Sequence, residues 1–332
     1  MGQEGAYSKV SNYTKEELMI DKSILEIMPL PIRTLLLRIS DTKSQAIQEM
    51  RLRAYKPIIL LIAGQEYGLT QEGVGKVTQA YYATPEDVQA VLNFLSGYSL
   101  YALEDEVRQG YVTLEGGHRV GLVGKAVVEE KSVKTLKYIN GLNIRFSHEV
   151  IGCSDKVLPY LISRDKVYHT LIVSPPKCGK TTLLRDMIRS LSNGFSGYGP
   201  YTIGVVDERS EIAGCYMGIA QNDIGLRTDV LDSCPKVEGM RMLLRSMGPD
   251  IIAVDEISSK ADMEAVEEVL GAGVTILCST HGKDLEDCMK KPVLNKMIAD
   301  GLFEKIVVLS NRKGPCTIEE IHDVRRNQVK VC

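Results

Sequence analysis

The stretch Leu171-Ile172-Val173-Ser174-Pro175-Pro176-Lys177-Cys178-Gly179-Lys180-Thr181-Thr182 constrains this chain more than any other. An apolar strand runs into a loop of the form G-x-x-x-x-G-K-[ST], with Ser174 standing where the first glycine is usual. Such a loop turns tightly, so that its backbone N–H groups converge on phosphate oxygens at the N-terminus of a helix. Ser174, Pro175, Pro176, Lys177, Cys178, Gly179, Lys180, Thr181 and Thr182 are therefore the expected nucleotide-binding residues. Gly179 lets the backbone approach the ligand, Lys180 can reach the β- and γ-phosphates, and the Thr181 hydroxyl can ligate magnesium. The following segment suits the helix this requires. Leu184, Met187, Ile188 and Leu191 form one apolar face, and Gly194 lies near its end.

Three more apolar runs end in polar residues that suit the same chemistry. Ile251-Ile252-Ala253-Val254 leads to Asp255 and Glu256. In a nucleoside triphosphatase the first acid of such a pair holds the magnesium and the second polarises the attacking water. Ser259 and Asp262 already supply a capping box for the next helix, so Asp255 and Glu256 are not needed to start it. Val205-Val206 leads to Asp207 and Glu208. If that strand lies beside the phosphate-loop strand, Asp207 is a further magnesium ligand and Glu208 a rival base. The plainer alternative is an ion pair between Glu208 and Arg209. Finally, Thr275 to Thr280 leads to His281, where a polar residue can sense the γ-phosphate, since sites in α/β sheets gather at strand carboxyl ends.

The surroundings of these motifs set the fold class. From residue 167 onward short apolar strands (His169–Ser174, Tyr201–Asp207, Ile251–Asp255, Val274–Ser279, Lys305–Leu309) alternate with amphipathic helices, which indicates a mainly parallel sheet covered on both faces. Residues 1–150 read differently, as a smaller α+β domain, with residues 151–332 as the α/β domain and a linker near Gly152. Thr84-Pro85-Glu86-Asp87 starts a helix, and Gly110 to Val128 alternates around a Gly116-Gly117 turn as a hairpin. Residues 46–63 read as a helix or turn followed by a strand. Leu142–Phe146 is a further strand.

Composition serves mainly to exclude. Lys+Arg 40 against Asp+Glu 43 leaves a net charge of -3, and with Phe 4 and Trp 0 there is no basic stretch interleaved with aromatics, so a nucleic-acid partner is not expected. The eight cysteines contain no C-x-x-C pair and the five histidines show no metal-ligand spacing. No run approaches the roughly 20 apolar residues of a membrane-spanning helix. The N-terminus has no signal-peptide pattern, and a cytoplasmic location is the expectation.

The order SPPKCGKTT, VVDERSE, GPDIIAVDE and CSTHGKDLEDCMKKP resembles the secretion-ATPase branch of RecA-like P-loop ATPases. Those motors drive bacterial type II and type IV secretion and pilus machines. QEMRLRAYKP (Gln48–Pro57), Tyr98–Leu122, NIRF (Asn143–Phe146) and NDIGLRTDVLDSCPKVEGM (Asn222–Met240) are similar, more closely, to the sporulation stage III protein AA family within it. The resemblance implies a RecA-like ATPase with ATP and magnesium as cofactors, assembled as a homo-hexamer. It would sit on the mother-cell face of the membrane channel joining mother cell and forespore, held there by integral membrane proteins. By this resemblance Lys180 and Thr181 match Walker A, Asp207 and Glu208 the Asp box, Asp255 and Glu256 Walker B, and His281 the His box. It further implies that arginines of the N-terminal domain and of neighbouring subunits complete the site, with Arg145, Arg119 and Arg227 as the candidates. Two other classes fit a RecA-like fold: a nucleic-acid-stimulated ATPase and a nucleotide-gated scaffold with little hydrolysis.

Overall fold

The computed structural model describes residues 20–97, 104–130, 132–164 and 166–332. The expected helical start at Glu16–Met19 and the segment Tyr98–Leu103 lie outside the described residues. Two compact units emerge, one ending at His148 and the other running Glu149–Cys332.

The first unit contains α1 (Lys22–Ile27), α2 (Leu30–Leu36), the short α3 (Asp41–Ser44), β1 (Ile47–Arg53), β2 (Ile59–Ile62), β3 (Gln65–Thr70), β4 (Gly73–Gly75), α4 (Pro85–Leu95), α5 (Glu104–Gln109), β5 (Tyr111–Thr113), β6 (Arg119–Glu129) and β7 (Ser132–Arg145). The strands form one antiparallel sheet in the order β4-β3-β2-β1-β7-β6-β5. Its inner face (Met50, Leu52, Leu60, Val120, Leu142, Ile144) packs on the apolar sides of α1, α2 and α4. Thr84 caps α4 in a capping box with Asp87, with Pro85 in the first turn, as the local sequence dictates.

Two expectations for this unit change. Residues 47–53 form a strand, not a helix or turn, because buried Met50 and Leu52 alternate with outward Arg51 and Arg53, a period of two. The strand expected over Leu142–Phe146 begins ten residues earlier, at Ser132. Its first part has few buried side chains and pairs only with β6, so no apolar alternation announces it.

The second unit contains α6 (Leu158–Leu161), β8 (Thr170–Ser174), α7 (Lys180–Asn193), β9 (Ile203–Asp207), β10 (Thr228–Asp232), α8 (Lys236–Ser246), β11 (Ile251–Val254), α9 (Lys260–Gly271), β12 (Thr275–His281), α10 (Leu285–Met289), α11 (Pro292–Ala299), β13 (Lys305–Ser310), β14 (Thr317–Asp323) and β15 (Gln328–Val331). The sheet order is β10-β9-β11-β12-β8-β13-β14-β15, parallel from β10 to β13 and antiparallel over the last two strands. Side-chain alternation divides the strands between two cores. Ile172, Val205, Ala253 and Leu277 meet α6 and α7 on one face, while Leu171, Val173, Val206, Ile252 and Val254 meet α8, α9 and α11 on the other. This explains why the central strands are apolar throughout: both faces are covered. β10, β14 and β15 carry charged residues and solvent-facing positions, and nothing in their pattern marks them in advance.

Far from the carboxyl ends of the strands, Glu304 anchors the starts of β8 and β13. Its carboxylate is 1% exposed and accepts from Lys166 Nζ at 2.5 Å and the His169 N–H at 3.1 Å, with Arg325 at 2.9 Å. Burial opposes its ionisation, but the Lys166 and His169 hydrogen bonds and the two cationic neighbours prevail and hold the carboxyl below the usual glutamate range. A carboxyl depressed on folding stabilises the protein above its unfolded pKa, and the contribution is lost as the pH falls through the folded value. Glu304→Gln should therefore lower stability by about 2 kcal/mol at neutral pH. The gap in melting temperature between wild type and variant should narrow as the pH is lowered past the ordinary glutamate value of 4.5. Melting curves at pH 7 and in acid check both.

Candidate nucleotide site

The strand register brings the motifs level. Ser174 at the end of β8 pairs with His281 at the end of β12, and Val254 lies opposite Cys278 and Val206. The phosphate loop, the Asp255-Glu256 pair, Asp207 and His281 thus all leave the sheet at one edge. One expectation changes here. β9, which carries Asp207 and Glu208, lies beside β11 and is separated from β8 by β11 and β12.

The phosphate loop has the backbone its role requires. Lys177 (φ +62°) and Gly179 (φ +87°) adopt left-handed conformations, and α7 begins at Lys180. A Cβ at Gly179 would lie 2.6 Å from Cys316 Sγ and 2.8 Å from the Cys316 nitrogen. Only glycine fits there. Cys316 donates its N–H to the Cys178 carbonyl (2.8 Å) and its thiol to the Gly179 carbonyl (3.3 Å), so the β13–β14 connection backs the loop. Ser174 is buried, its hydroxyl donating to the Pro175 carbonyl at 2.9 Å and its own carbonyl accepting the Gly282 N–H at 3.1 Å.

Side chains from the ends of β9, β11 and β12 and from the starts of α7 and α8 meet beside this loop. Lys180 Nζ lies 2.6 Å from Glu256 Oε1, and its side chain is only 9% exposed. The Thr181 hydroxyl donates to Asp255 Oδ2 at 2.8 Å, and the Ser279 hydroxyl donates to the other Asp255 oxygen. Glu256 is also met by His281 Nε2 at 2.8 Å and by Arg209 at 2.7 Å. Burial opposes its ionisation, but the Lys180 hydrogen bond, with the charges of Lys180, His281 and Arg209, wins and keeps the carboxyl below the usual glutamate range. Glu256 has φ +55°, a costly backbone for a residue with a side chain. Its N–H donates to Ser279 Oγ at 3.0 Å, and its carbonyl accepts from Lys236 Nζ at 3.0 Å. Lys236 Nζ also lies 2.9 Å from Glu208 Oε2. Asp207, Glu208, Arg209, Lys236, Asp255 and Glu256 together line a cleft.

Asp207 does not present its carboxylate as a metal ligand. It is 1% exposed, and its oxygens accept the backbone N–H groups of Glu211 (2.8 Å), Ile212 (3.0 Å) and Ala213 (2.8 Å). The carboxylate shapes its own loop. Burial pushes its pKa up, and the three N–H groups only partly offset that. Arg209, the alternative partner of Glu208, reaches Glu256 instead. Arg227 sits at the start of β10 and donates to the Ser192 carbonyl at the far end of α7, away from this chain's own phosphate loop. Arg145 and Arg119 lie opposite one another on β7 and β6 of the first unit; Arg145 is 4.0 Å from Glu49, and Arg119 stacks over Tyr111. Sequence reasoning missed Lys236 and Ser279, whose roles arise only once strands distant in the chain are aligned.

The donor set fits a magnesium nucleotide. Among the described residues no cluster of three or more His, Cys, Asp or Glu side chains could hold a metal unaided. Magnesium is commonly held by one or two protein oxygens, with phosphate oxygens and water completing its shell, and Thr181 and Asp255 supply such oxygens side by side. Lys180 and Thr181 are the first two residues of α7, whose N-terminus favours a bound anion.

Reading the parallel strands outward from β13 gives β13-β8-β12-β11-β9-β10, the phosphate-loop strand second, and the first five of them make the RecA-like arrangement of a P-loop ATPase fold. Solved structures agree. The Legionella pneumophila ATPase DotB superposes with a TM-score of 0.54 at 13% identity, over 88% of this chain and 77% of that one. The pilus retraction motor PilT, solved with bound ADP, gives 0.52 at 15% identity over 80% and 74%. The family model for sporulation stage III, protein AA matches residues 19–329, and the chain belongs to that family. It is 42% identical over 315 residues to stage III sporulation protein AA of Bacillus subtilis (strain 168), covering 93% of this chain and 99% of that protein.

Asp207→Asn would set an amide N–H₂ against backbone donors in a buried loop. The substitution should cost about 2 kcal/mol, visible as a lower urea midpoint with an unchanged m-value.

Proposed function

We propose that this protein is a magnesium-dependent ATP hydrolase that energises or assembles the channel between mother cell and forespore during endospore formation. The observation that carries the enzymatic part is the convergence of Lys180, Thr181, Asp255 and Glu256 at the carboxyl edge of a RecA-ordered sheet. In this reading Lys180 exchanges Glu256 for the β- and γ-phosphates. Thr181 and Asp255 would hold magnesium, which would supply screening of the phosphate charge. Freed of Lys180, Glu256 orients the attacking water and takes its proton, and His281 follows the loss of the γ-phosphate. Glu208, already paired with Lys236, is the less available base. Arg145, Arg119 and Arg227 are the candidates for the arginines that, from the first unit and from neighbouring copies in a homo-hexamer, complete the nucleotide site, with the first unit serving ring assembly and partner contacts.

Membership of the sporulation family supports the cellular role, with integral membrane proteins of the channel as partners and the mother-cell side of the membrane as the location. Among the described residues no helix is long and apolar enough to cross a membrane, which fits attachment through such partners.

Lys180→Ala should abolish magnesium-dependent phosphate release and weaken binding of a fluorescent ATP analogue. Glu256→Gln should keep the analogue bound while slowing turnover about 100-fold or more. Phosphate release equal in wild type and Lys180→Ala sinks the reading. Sporulation intact with Glu256→Gln despite lost turnover would instead favour a nucleotide-gated scaffold.

A further inference from the structure

Lys236 is unexplained by the helix it begins. It is the first residue of α8, where the positive end of the helix dipole disfavours a cation, and the preceding Pro235 provides no side-chain cap. Its side chain is nonetheless only 13% exposed. An ammonium withdrawn from water against a helix dipole needs compensating acceptors. It has two, from different strand ends: the main-chain carbonyl of Glu256 at 3.0 Å and the carboxylate of Glu208 at 2.9 Å.

The carbonyl contact matters because of the backbone it holds. Glu256 sits at φ +55°, and such a conformation persists only where its surroundings fix it. Ser279 holds its N–H from the β12 side and Lys236 its carbonyl from the α8 side. The Glu256 carboxylate, by contrast, is held by Lys180, Arg209 and His281, and Lys180 is the partner that phosphates would claim. A side chain aimed through its main chain keeps its direction when its own ion pair is lost.

We infer that Lys236 is a positioning residue that bridges the Glu256 main chain to Glu208, keeping Glu256 aimed at the phosphate loop while occupying the rival carboxylate. The inference rests on the ATPase reading above. It also divides the labour between the two acids: Glu256 is left to act on water, and Glu208 serves as the counter-charge that holds the bridge in place.

The test uses the full chain with Lys236→Met and Lys236→Arg, each first matched to wild type by urea midpoint. ATP hydrolysis is resolved into kcat and KM, a fluorescent ATP analogue reports affinity, and hydrogen exchange follows the amide of Glu256. Lys236→Met should lower kcat about 100-fold, the scale of a misplaced catalytic group, with KM and affinity little changed. The Glu256 amide should exchange faster, and Lys236→Arg should recover much of both losses. A kcat close to wild type in Lys236→Met, a loss residing wholly in KM, or an unaltered exchange rate overturns the inference. If wild type neither binds the analogue nor exceeds Lys180→Ala in turnover, it is the ATPase reading that fails, and the exchange experiment alone then decides whether the bridge exists.

Discussion

Everything at the site depends on the register in which β12 pairs with β8 and β11. That pairing puts Ser174 beside His281 and Val254 beside Cys278. A slip of one residue would turn each side chain to the opposite face. Because both faces are covered, a slip would move Leu171, Val173 and Cys278 out of the core under α8, α9 and α11 and into the one under α6 and α7, where each position is already fitted to other side chains, so the two cores that cover the sheet also fix the geometry of its edge. Packing and chemistry are set by the same pairings.

The second organising feature is the charge arrangement around Glu256. Three cationic or potentially cationic groups crowd one carboxylate, while the neighbouring Asp255 carboxylate accepts from the hydroxyls of Thr181 and Ser279. Two adjacent acids on one strand end thereby acquire different characters. Asp255 keeps oxygens suited to a hydrated divalent ion. Glu256 is locked into ion pairs with Lys180, His281 and Arg209, so the free protein holds Lys180 and Glu256 against one another.

Much of this was legible in the sequence because it is local. A strand, a glycine-lysine-threonine turn and an amphipathic helix are contiguous, and so are the capping residues Thr84 and Ser259. The acids at Asp255 and Glu256 could be read from the apolar run before them. What escaped was non-local. Lys236 looks like an ordinary surface residue until α8 is laid beside β11, and the Asp207 carboxylate looks like a metal ligand until its loop folds back onto it. The first part of β7 escaped for another reason: a strand with few buried side chains carries no alternation to detect.

The contact between Cys316 and the phosphate loop has a consequence for ligand entry. With the Cys178 and Gly179 carbonyls both tied to the β13–β14 connection, the cradle is already shaped before any ligand arrives. Little loop entropy remains to be lost on binding, and a preorganised receptor keeps more of its contact energy as affinity. The same tether makes the antiparallel edge of the sheet a mechanical neighbour of the phosphate loop: a displacement of that hairpin would be felt at the first turn of α7.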